Sequence, residues 1–132
     1  MDQNKGSINS FGSLKINQII KENEHFVVVH DKYPVSPGHT LIIAKRSITR
    51  FSELSKQEKF DLIELVDWAV CYLEKNLKPK PDSFNLGIND GVAAGQTIGQ
   101  FHYHVIPRYT GDVADPRGGI RFVIPSKGKY ED

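Results

Sequence analysis

Residues 95–108 decide the fold of this chain, and they read Gly95-Gln96-Thr97-Ile98-Gly99-Gln100-Phe101-His102-Tyr103-His104-Val105-Ile106-Pro107-Arg108. From Phe101 to Ile106, apolar and aromatic residues alternate with polar ones, which is typical of a half-buried β-strand that ends at a proline. Successive side chains of a strand point to opposite faces, so His102 and His104 share one face with Gln100. Two histidines about 7 Å apart on one strand face can converge on one small group.

This histidine pair allows three interpretations from the residues alone. The two side chains can be polar residues on the solvent-facing side of a strand. They can bind zinc, with His39 or a carboxylate as the third ligand, although the chain has no CxxC and no HExxH motif. They can also form a nucleophilic or acid–base pair. Neutral imidazole is a good nucleophile at pH 7, and its neighbour can protonate a leaving group or bind an anionic oxygen.

The loop before the histidine strand bears on this choice. Residues 91–99 contain three glycines together with Gln96 and Thr97, and such a loop can turn backbone N–H groups toward an anion. The loop lacks the Gly-Lys-Ser/Thr ending of a P-loop, and a glycine-rich turn is by itself more often only a turn. Because it leads directly into the histidine strand, it favours a site for phosphoryl or nucleotidyl transfer.

Further strands are predicted on both sides of this region. The β-branched run at 26–30 and the segment 39–44 predict an antiparallel pair, because turn-forming prolines and a glycine separate them. Alternation at 84–88 predicts another strand, and a last short strand is expected at 120–124. Residues 14–20 are expected to form a short helix or turn.

The clearest element is a helix from about residue 56 to residue 77. Ser55 followed by Glu58 is a capping-box pattern, and an apolar stripe recurs at steps of three and four. Strands, one long helix and strands again predict an α+β fold. Cys71 lies beside the stripe, so we expect a half-buried, inert thiol. The stripe consists of Ile63, Val66, Val70, Leu73 and Leu77.

Composition limits the class of protein. The chain has 132 residues, which fits one compact domain. Residues 1–13 are polar and Gly/Ser-rich, so we expect a flexible N-terminus there, a single domain at 14–125 and a C-terminal tail at 126–132. A net charge of +1 argues against a nucleic-acid partner or a membrane-binding patch. The single cysteine excludes an internal disulfide and fits a reducing compartment. Because the sequence shows neither a secretory signal nor an apolar run of roughly 18 residues, we expect a cytoplasmic location.

Two segments together resemble the signatures of the histidine-triad (HIT) family. Residues 95–108 resemble the motif His-φ-His-φ-His-φ-φ preceded by Gly-Gln-Ser/Thr, where φ is an apolar residue. Residues 31–39, Asp31-Lys32-Tyr33-Pro34-Val35-Ser36-Pro37-Gly38-His39, resemble the second signature, in which a polar residue is followed by Pro and then Pro-Gly-His. Residues 50–54 and 115–119 are most similar to the branch that cleaves dinucleoside polyphosphates, which includes fragile-histidine-triad hydrolases.

This resemblance implies both an architecture and a reaction. The fold would be an antiparallel sheet of about five strands with one long helix packed on it, usually paired in a homodimer. The reaction would be hydrolysis of a dinucleoside polyphosphate, such as diadenosine tetraphosphate, or of a nucleoside phosphoramidate. His102 would attack the α-phosphorus, and water would then hydrolyse the nucleotidyl-histidine. The adduct requires no metal or other cofactor, although divalent cations often accompany polyphosphate substrates.

The resemblance also assigns roles to other residues. His104 would hydrogen-bond a phosphate oxygen, and His39 would belong to a buried polar network behind the nucleophile. Asp31 would hold the ribose hydroxyls of a purine nucleotide. The phosphates would be held by Asn89, Gly95, Gln96, Thr97 and Ile98.

The chain departs from the family pattern in two places. Gln100 stands at the first triad histidine, and glutamine can donate and accept hydrogen bonds but cannot take a proton at neutral pH. If this position only orients its neighbours, activity survives. If it relays protons, the rate falls or the substrate range shifts. The alternative function is then a nucleotide-binding signalling protein with weak catalysis. Ser10 and Ser13 stand where some relatives carry a Cys-x-x-Cys zinc clip, so we predict no structural metal.

Overall fold

Five strands form one antiparallel sheet in the computed structural model, which describes residues 16–130. The elements are β1 (Ile19–Glu22), β2 (Phe26–His30), β3 (Thr40–Ala44), α1 (Lys56–Asn76), β4 (Ser83–Gly87) and β5 (His102–Arg108). The strand order is β1-β2-β3-β5-β4, and the long helix α1 packs on the sheet. The predicted α+β architecture of a five-stranded antiparallel sheet with one long helix is therefore confirmed. Short 3-10 helices lie at Ile16–Gln18, Phe51–Glu53, Val92–Ala94, Gly119–Val123 and Pro125–Lys127.

The start of α1 is the predicted capping box. The Ser55 hydroxyl accepts a hydrogen bond from the backbone N–H of Glu58 at 3.1 Å, and the Glu58 carboxylate accepts from the backbone N–H of Ser55 at 2.8 Å. Two N–H groups that the first helical turn leaves unpaired are thereby satisfied. Arg46 also donates to both oxygens of Glu58, at 2.7 and 2.8 Å. This ion pair ties the helix start to the segment that follows β3.

The buried face of α1 is rotated from the predicted stripe. Val66 and Leu73 are buried as expected, but Ile63 is 62% exposed and its neighbour Leu62 is only 2% exposed. Both residues are apolar, so spacing by three and four fits either side of the helix. Contact with the sheet selects the Leu62 side, and the prediction for Ile63 was wrong. The face that packs on the core consists of Leu62, Leu65, Val66, Ala69 and Leu73.

Three smaller expectations were wrong in part or entirely. Residues 120–124 are not a strand, because the segment after Gly118 closes local turns, with the N–H of Arg121 donating to the carbonyl of Gly118 at 2.8 Å. Residues 16–18 do form a short 3-10 helix, but Ile19 begins β1 and pairs with Val29 of β2. Cys71 is exposed rather than half-buried.

Other expectations concern parts of the chain that the structure leaves out. Residues 1–13, with Ser10 and Ser13, lie outside the described residues.

Within residues 16–130, the helices include none with the length and apolar character that a bilayer span requires.

The two faces of β5 serve different purposes. Val105, together with Phe101 just before the strand, belongs to the main core beneath α1. His102 and His104 pair with Ile43 and Leu41 of β3, so they project from the opposite face of the sheet. Ile43 and Leu41 form a second, smaller apolar cluster there with Val29. The histidines therefore lie on a packed surface that α1 does not cover.

Candidate active site

The start of β5 orients His102. Its Nδ1 lies 2.9 Å from the backbone carbonyl oxygen of Gln100. A carbonyl can only accept a hydrogen bond, so Nδ1 carries the proton and Nε2 carries the lone pair. The Gln100 side chain donates to the carbonyl of Ala44 at 2.6 Å and ties this point to the end of β3. His102 is therefore held in the tautomer that a nucleophile needs.

The segment 31–39 folds back on itself and brings Asp31 to His39. The N–H of Asp31 donates to the carbonyl of His39 at 2.9 Å. Gly38 has a φ of +90°, and a Cβ at this position would press on Leu77 and lie 3.2 Å from Pro107. Glycine is therefore required at the turn for two reasons, conformation and space. As a result, Oδ2 of Asp31 lies 3.4 Å from Nε2 of His39.

Three histidine rings stand in a row beside this turn. Nε2 of His39, a residue 3% exposed, lies 2.9 Å from Nδ1 of His104. The centroid of the His104 ring is 5.2 Å from that of His39 and 5.2 Å from that of His102. Burial, and then the nearby His102 and His39, lower the pKa of His104 to about 4. Burial also lowers the pKa of His39, while Asp31 opposes the shift. Both imidazoles are therefore neutral at pH 7.

The carboxylate of Asp31 is part of this network. One oxygen accepts from the backbone N–H of Tyr33 at 2.8 Å, in an Asx turn, and the other faces His39. Its side chain is mostly buried but keeps some exposure. The predicted contact with ribose hydroxyls remains a prediction.

The loop at 91–99 keeps several of its backbone donors for itself. The N–H of Gly95 donates to Val92, and the N–H of Gln96 donates to Gly91. The Gln96 side chain is 8% exposed and braces the loop from inside: Oε1 accepts from Gly91 at 2.9 Å. The backbone N–H groups of Thr97 and Ile98 have no acceptor within residues 16–130. Of the four loop residues predicted to hold phosphate, Gly95 and Gln96 use their backbone N–H groups within the loop, while Thr97 and Ile98 can offer theirs to an anion.

The side chains of Asn89 and Arg50 border the same loop. The amide of Asn89 lies 3.9 Å from where a Cβ on Gly95 would stand. Arg50 was not among the predicted site residues, yet its guanidinium packs against Gly91 and pairs with Asp90 at 3.1 Å. The signal that points to it is Asp90 within the Asn-Asp-Gly turn, since an acidic residue there can anchor a basic one. The loop thus has an Arg50–Asp90 ion pair at its rim.

The structure brings His39, His102 and His104 close together. However, the residues that could bind a metal are not the set that the zinc interpretation proposed. Among residues 16–130, one group of three possible metal ligands is present, Asp31, His39 and His104, with ligand atoms within 4.8 Å of one another. His102, which the zinc interpretation included, does not belong to that group. It stands beside the group as the separate, lone-pair-bearing imidazole.

Known proteins match this chain in sequence and in fold. The HIT domain model matches residues 15–111. An uncharacterized HIT-like protein of Methanocaldococcus jannaschii is 36% identical over 95 residues, which are 72% of this chain and 71% of the relative. The asymmetrical bis(5'-nucleosyl)-tetraphosphatase of Schizosaccharomyces pombe is 38% identical over 82 residues, 62% of this chain and 44% of that protein. The crystal structure of a Zn-bound histidine triad family protein from Mycobacterium smegmatis has a TM-score of 0.65 and 30% identity, covering 74% of this chain and 69% of that chain.

Proposed function

Because this chain belongs to the HIT domain family, we propose that it is a nucleotidyl hydrolase of dinucleoside polyphosphates, such as diadenosine tetraphosphate, or of nucleoside phosphoramidates. The proposal depends above all on the 2.9 Å hydrogen bond between Nδ1 of His102 and the Gln100 carbonyl, because in the neutral ring it places the lone pair on Nε2, the atom that would attack. The similarity to a bis(5'-nucleosyl)-tetraphosphatase supports the substrate class.

The reaction proceeds in two displacements at the α-phosphorus. Nε2 of His102 forms a bond to phosphorus, and the bond from phosphorus to the bridging atom breaks. The leaving group departs with that electron pair, and in a phosphoramidate its nitrogen takes a proton from solvent as it leaves. Water then attacks the same phosphorus and releases a proton to solvent, the phosphorus–nitrogen bond breaks, and His102 returns to its starting state as a nucleoside monophosphate is released. The adduct needs no metal, and any divalent cation arrives with the polyphosphate.

Neighbouring groups hold the substrate for this attack. His104 donates a hydrogen bond to a non-bridging oxygen of the α-phosphate, where negative charge grows in the transition state. Thr97 and Ile98 donate their N–H groups to phosphate oxygens, and Asn89 assists. Asp31 accepts hydrogen bonds from ribose hydroxyls while it keeps its contact with His39.

The wider setting of the reaction is also a proposal. We propose a single catalytic domain over 14–125, in agreement with the family match to 15–111. We further propose a homodimer and a cytoplasmic location, the latter in keeping with a single cysteine.

The experiment that tests this function detects the covalent intermediate. Purified protein is mixed with diadenosine tetraphosphate or adenosine 5′-phosphoramidate, quenched, and digested for mass spectrometry. We expect adenylate on His102, with turnover lost in His102→Ala. His25→Gln is the matched control, because His25 pairs with Asp61 of α1, and α1 covers the other face of the sheet. Undiminished turnover in His102→Ala would refute nucleophilic attack by His102.

A second function is favoured by one observation, the glutamine at the first triad position. An amide cannot relay a proton, so the chain could bind nucleotides tightly and hydrolyse them slowly, as a signalling protein would. In that case wild-type protein binds AMP without measurable turnover, and Gln100→His restores turnover. Robust turnover by the wild type excludes this alternative.

A further inference from the structure

The backbone of the 31–39 turn sets the protonation of His39. The N–H of Val35 donates to Nδ1 of His39 at 3.1 Å. A backbone N–H cannot accept, so Nδ1 must present its lone pair, and a neutral His39 must carry its proton on Nε2. The Val35 side chain is 72% exposed and adds little to the packing here.

The position of the proton on His39 determines the position of the proton on His104. The N–H at Nε2 of His39 faces Nδ1 of His104 at 2.9 Å and the Asp31 carboxylate at 3.4 Å. Two N–H groups cannot face each other at hydrogen-bonding distance, so Nδ1 of His104 is an acceptor. The proton of neutral His104 therefore lies on Nε2.

We infer that the Val35 backbone N–H is a positioning group that fixes the protons of His39 and His104, so that His104 presents an N–H donor and the cluster rejects transition metals. The proton order is a property of the resting protein. Its use, donation to an anionic phosphate oxygen, rests on the proposed function. An imidazole nitrogen that can only donate, such as Nε2 of His104, matches an oxyanion and mismatches a group that must itself donate.

The same bond bears on zinc, which a histidine triad relative from Mycobacterium smegmatis contains. In this chain Asp31, His39 and His104 have the chemistry and spacing of a metal site. A neutral imidazole that ligates a metal through Nε2 must carry its proton on Nδ1, where second-shell acceptors normally receive it. The Val35 N–H points at that atom in His39, so the two protons would collide. These residues therefore do not fit a divalent metal, despite their spacing.

Histidine protonation can be read directly without substrate. In protein labelled with ¹⁵N-histidine at pH 7.5, long-range ¹H–¹⁵N correlation spectra separate protonated ring nitrogens from those with a lone pair. We expect Nε2–H for His39 and His104 but Nδ1–H for His102. Signals are assigned with single glutamine substitutions. A proton on Nδ1 of His39 would overturn the inference, whether or not the protein proves to be a hydrolase.

A proline substitution tests the donor itself. Val35→Pro deletes the N–H, and Val35→Ala keeps it as the matched control. We expect the His39 tautomer to shift only in Val35→Pro, with kcat reduced about tenfold and KM nearly unchanged, since one oxyanion donor is partly lost. Equal kcat values and equal His39 spectra in a folded Val35→Pro would contradict the inference.

Cobalt(II) provides an independent readout on the folded proteins. We expect no visible absorption from tetrahedral cobalt in wild type or Val35→Ala, and its appearance in Val35→Pro, because Nδ1 of His39 can then be protonated. Cobalt absorption in wild type that disappears in His39→Gln would overturn the inference. If Val35→Pro fails to fold, the wild-type NMR and cobalt experiments still decide.

Discussion

Replacing Gln96 with alanine removes a side chain that lies inside the 91–99 loop. Its Oε1 accepts from the N–H of Gly91 at 2.9 Å, and its Nε2 donates to the carbonyl of Ile98 at 3.1 Å. Longer bonds reach the carbonyls of Thr49 at 3.3 Å and Gly99 at 3.4 Å. The residue is nearly buried, so alanine leaves these backbone groups without the partner they had.

The expected loss follows from these contacts. Each of the two shorter bonds contributes about 1 kcal/mol net, and an unsatisfied donor such as the Gly91 N–H adds to the loss. We therefore expect the free energy of unfolding in urea to fall by about 2–3 kcal/mol. The loop also loses the brace that places Thr97 and Ile98, so KM for the dinucleoside polyphosphate should rise as well.

Gln96→Glu tests whether this side chain supports the loop or binds phosphate directly. Glutamate has the same shape and can still accept from Gly91. It cannot donate when ionised, and it places negative charge against the carbonyls of Thr49, Ile98 and Gly99. We expect a loss of stability at pH 7 at least as large as that of Gln96→Ala. If either variant binds substrate poorly while its unfolding free energy stays within about 0.5 kcal/mol of wild type, the bracing role is refuted.

Three further predictions concern the frame around the site. Leu62→Ala should lower the free energy of unfolding by about 2–4 kcal/mol, whereas Ile63→Ala should change it by less than about 0.5 kcal/mol; similar losses in urea would mean that the buried face of α1 is misassigned. Gly38→Ala should cost about 1–3 kcal/mol because φ is +90°, and it should slow turnover by displacing His39; an unchanged urea midpoint would argue against a strained turn. The hydrogen bonds from Arg46, the largest cause, lower the pKa of Glu58 to about 2, so its contribution to stability is complete above its unfolded pKa of about 4.3 and is lost as pH falls toward 2. The urea midpoint of Glu58→Gln should therefore vary less than that of wild type between pH 5 and pH 2, and parallel curves would contradict this linkage.

The sequence predicted those features that depend on local pattern. Alternation around His102 and His104 identified β5 and placed both histidines on one face, because a strand repeats every two residues. Ser55 and Glu58 identified the start of α1, because a capping box is made within four residues. These signals are local, and no distant part of the chain can change them much.

Features that depend on contacts between distant segments were missed or only half predicted. The sequence did not show that the Gln96 amide is hydrogen-bonded to the backbone, including that of Thr49 far away in the sequence, and its predicted contact with phosphate stays a prediction. The choice between Leu62 and Ile63 depends on where the sheet lies. The tautomers of His39 and His104 depend on a backbone N–H, and the identities of the side chains do not predict where that backbone donor lies.

One face of β5 contributes to the core and the other carries the two histidines, so an error in strand register would affect both. Slipping β5 by one residue against β3 would push both histidines into the hydrophobic interior and turn Val105 out to the other side. Misregistered molecules would thus lose their core and their chemistry in a single event. Specific activity per mole of purified protein should then report the fraction of correctly assembled chains, and selection for turnover should also select for correct strand alignment.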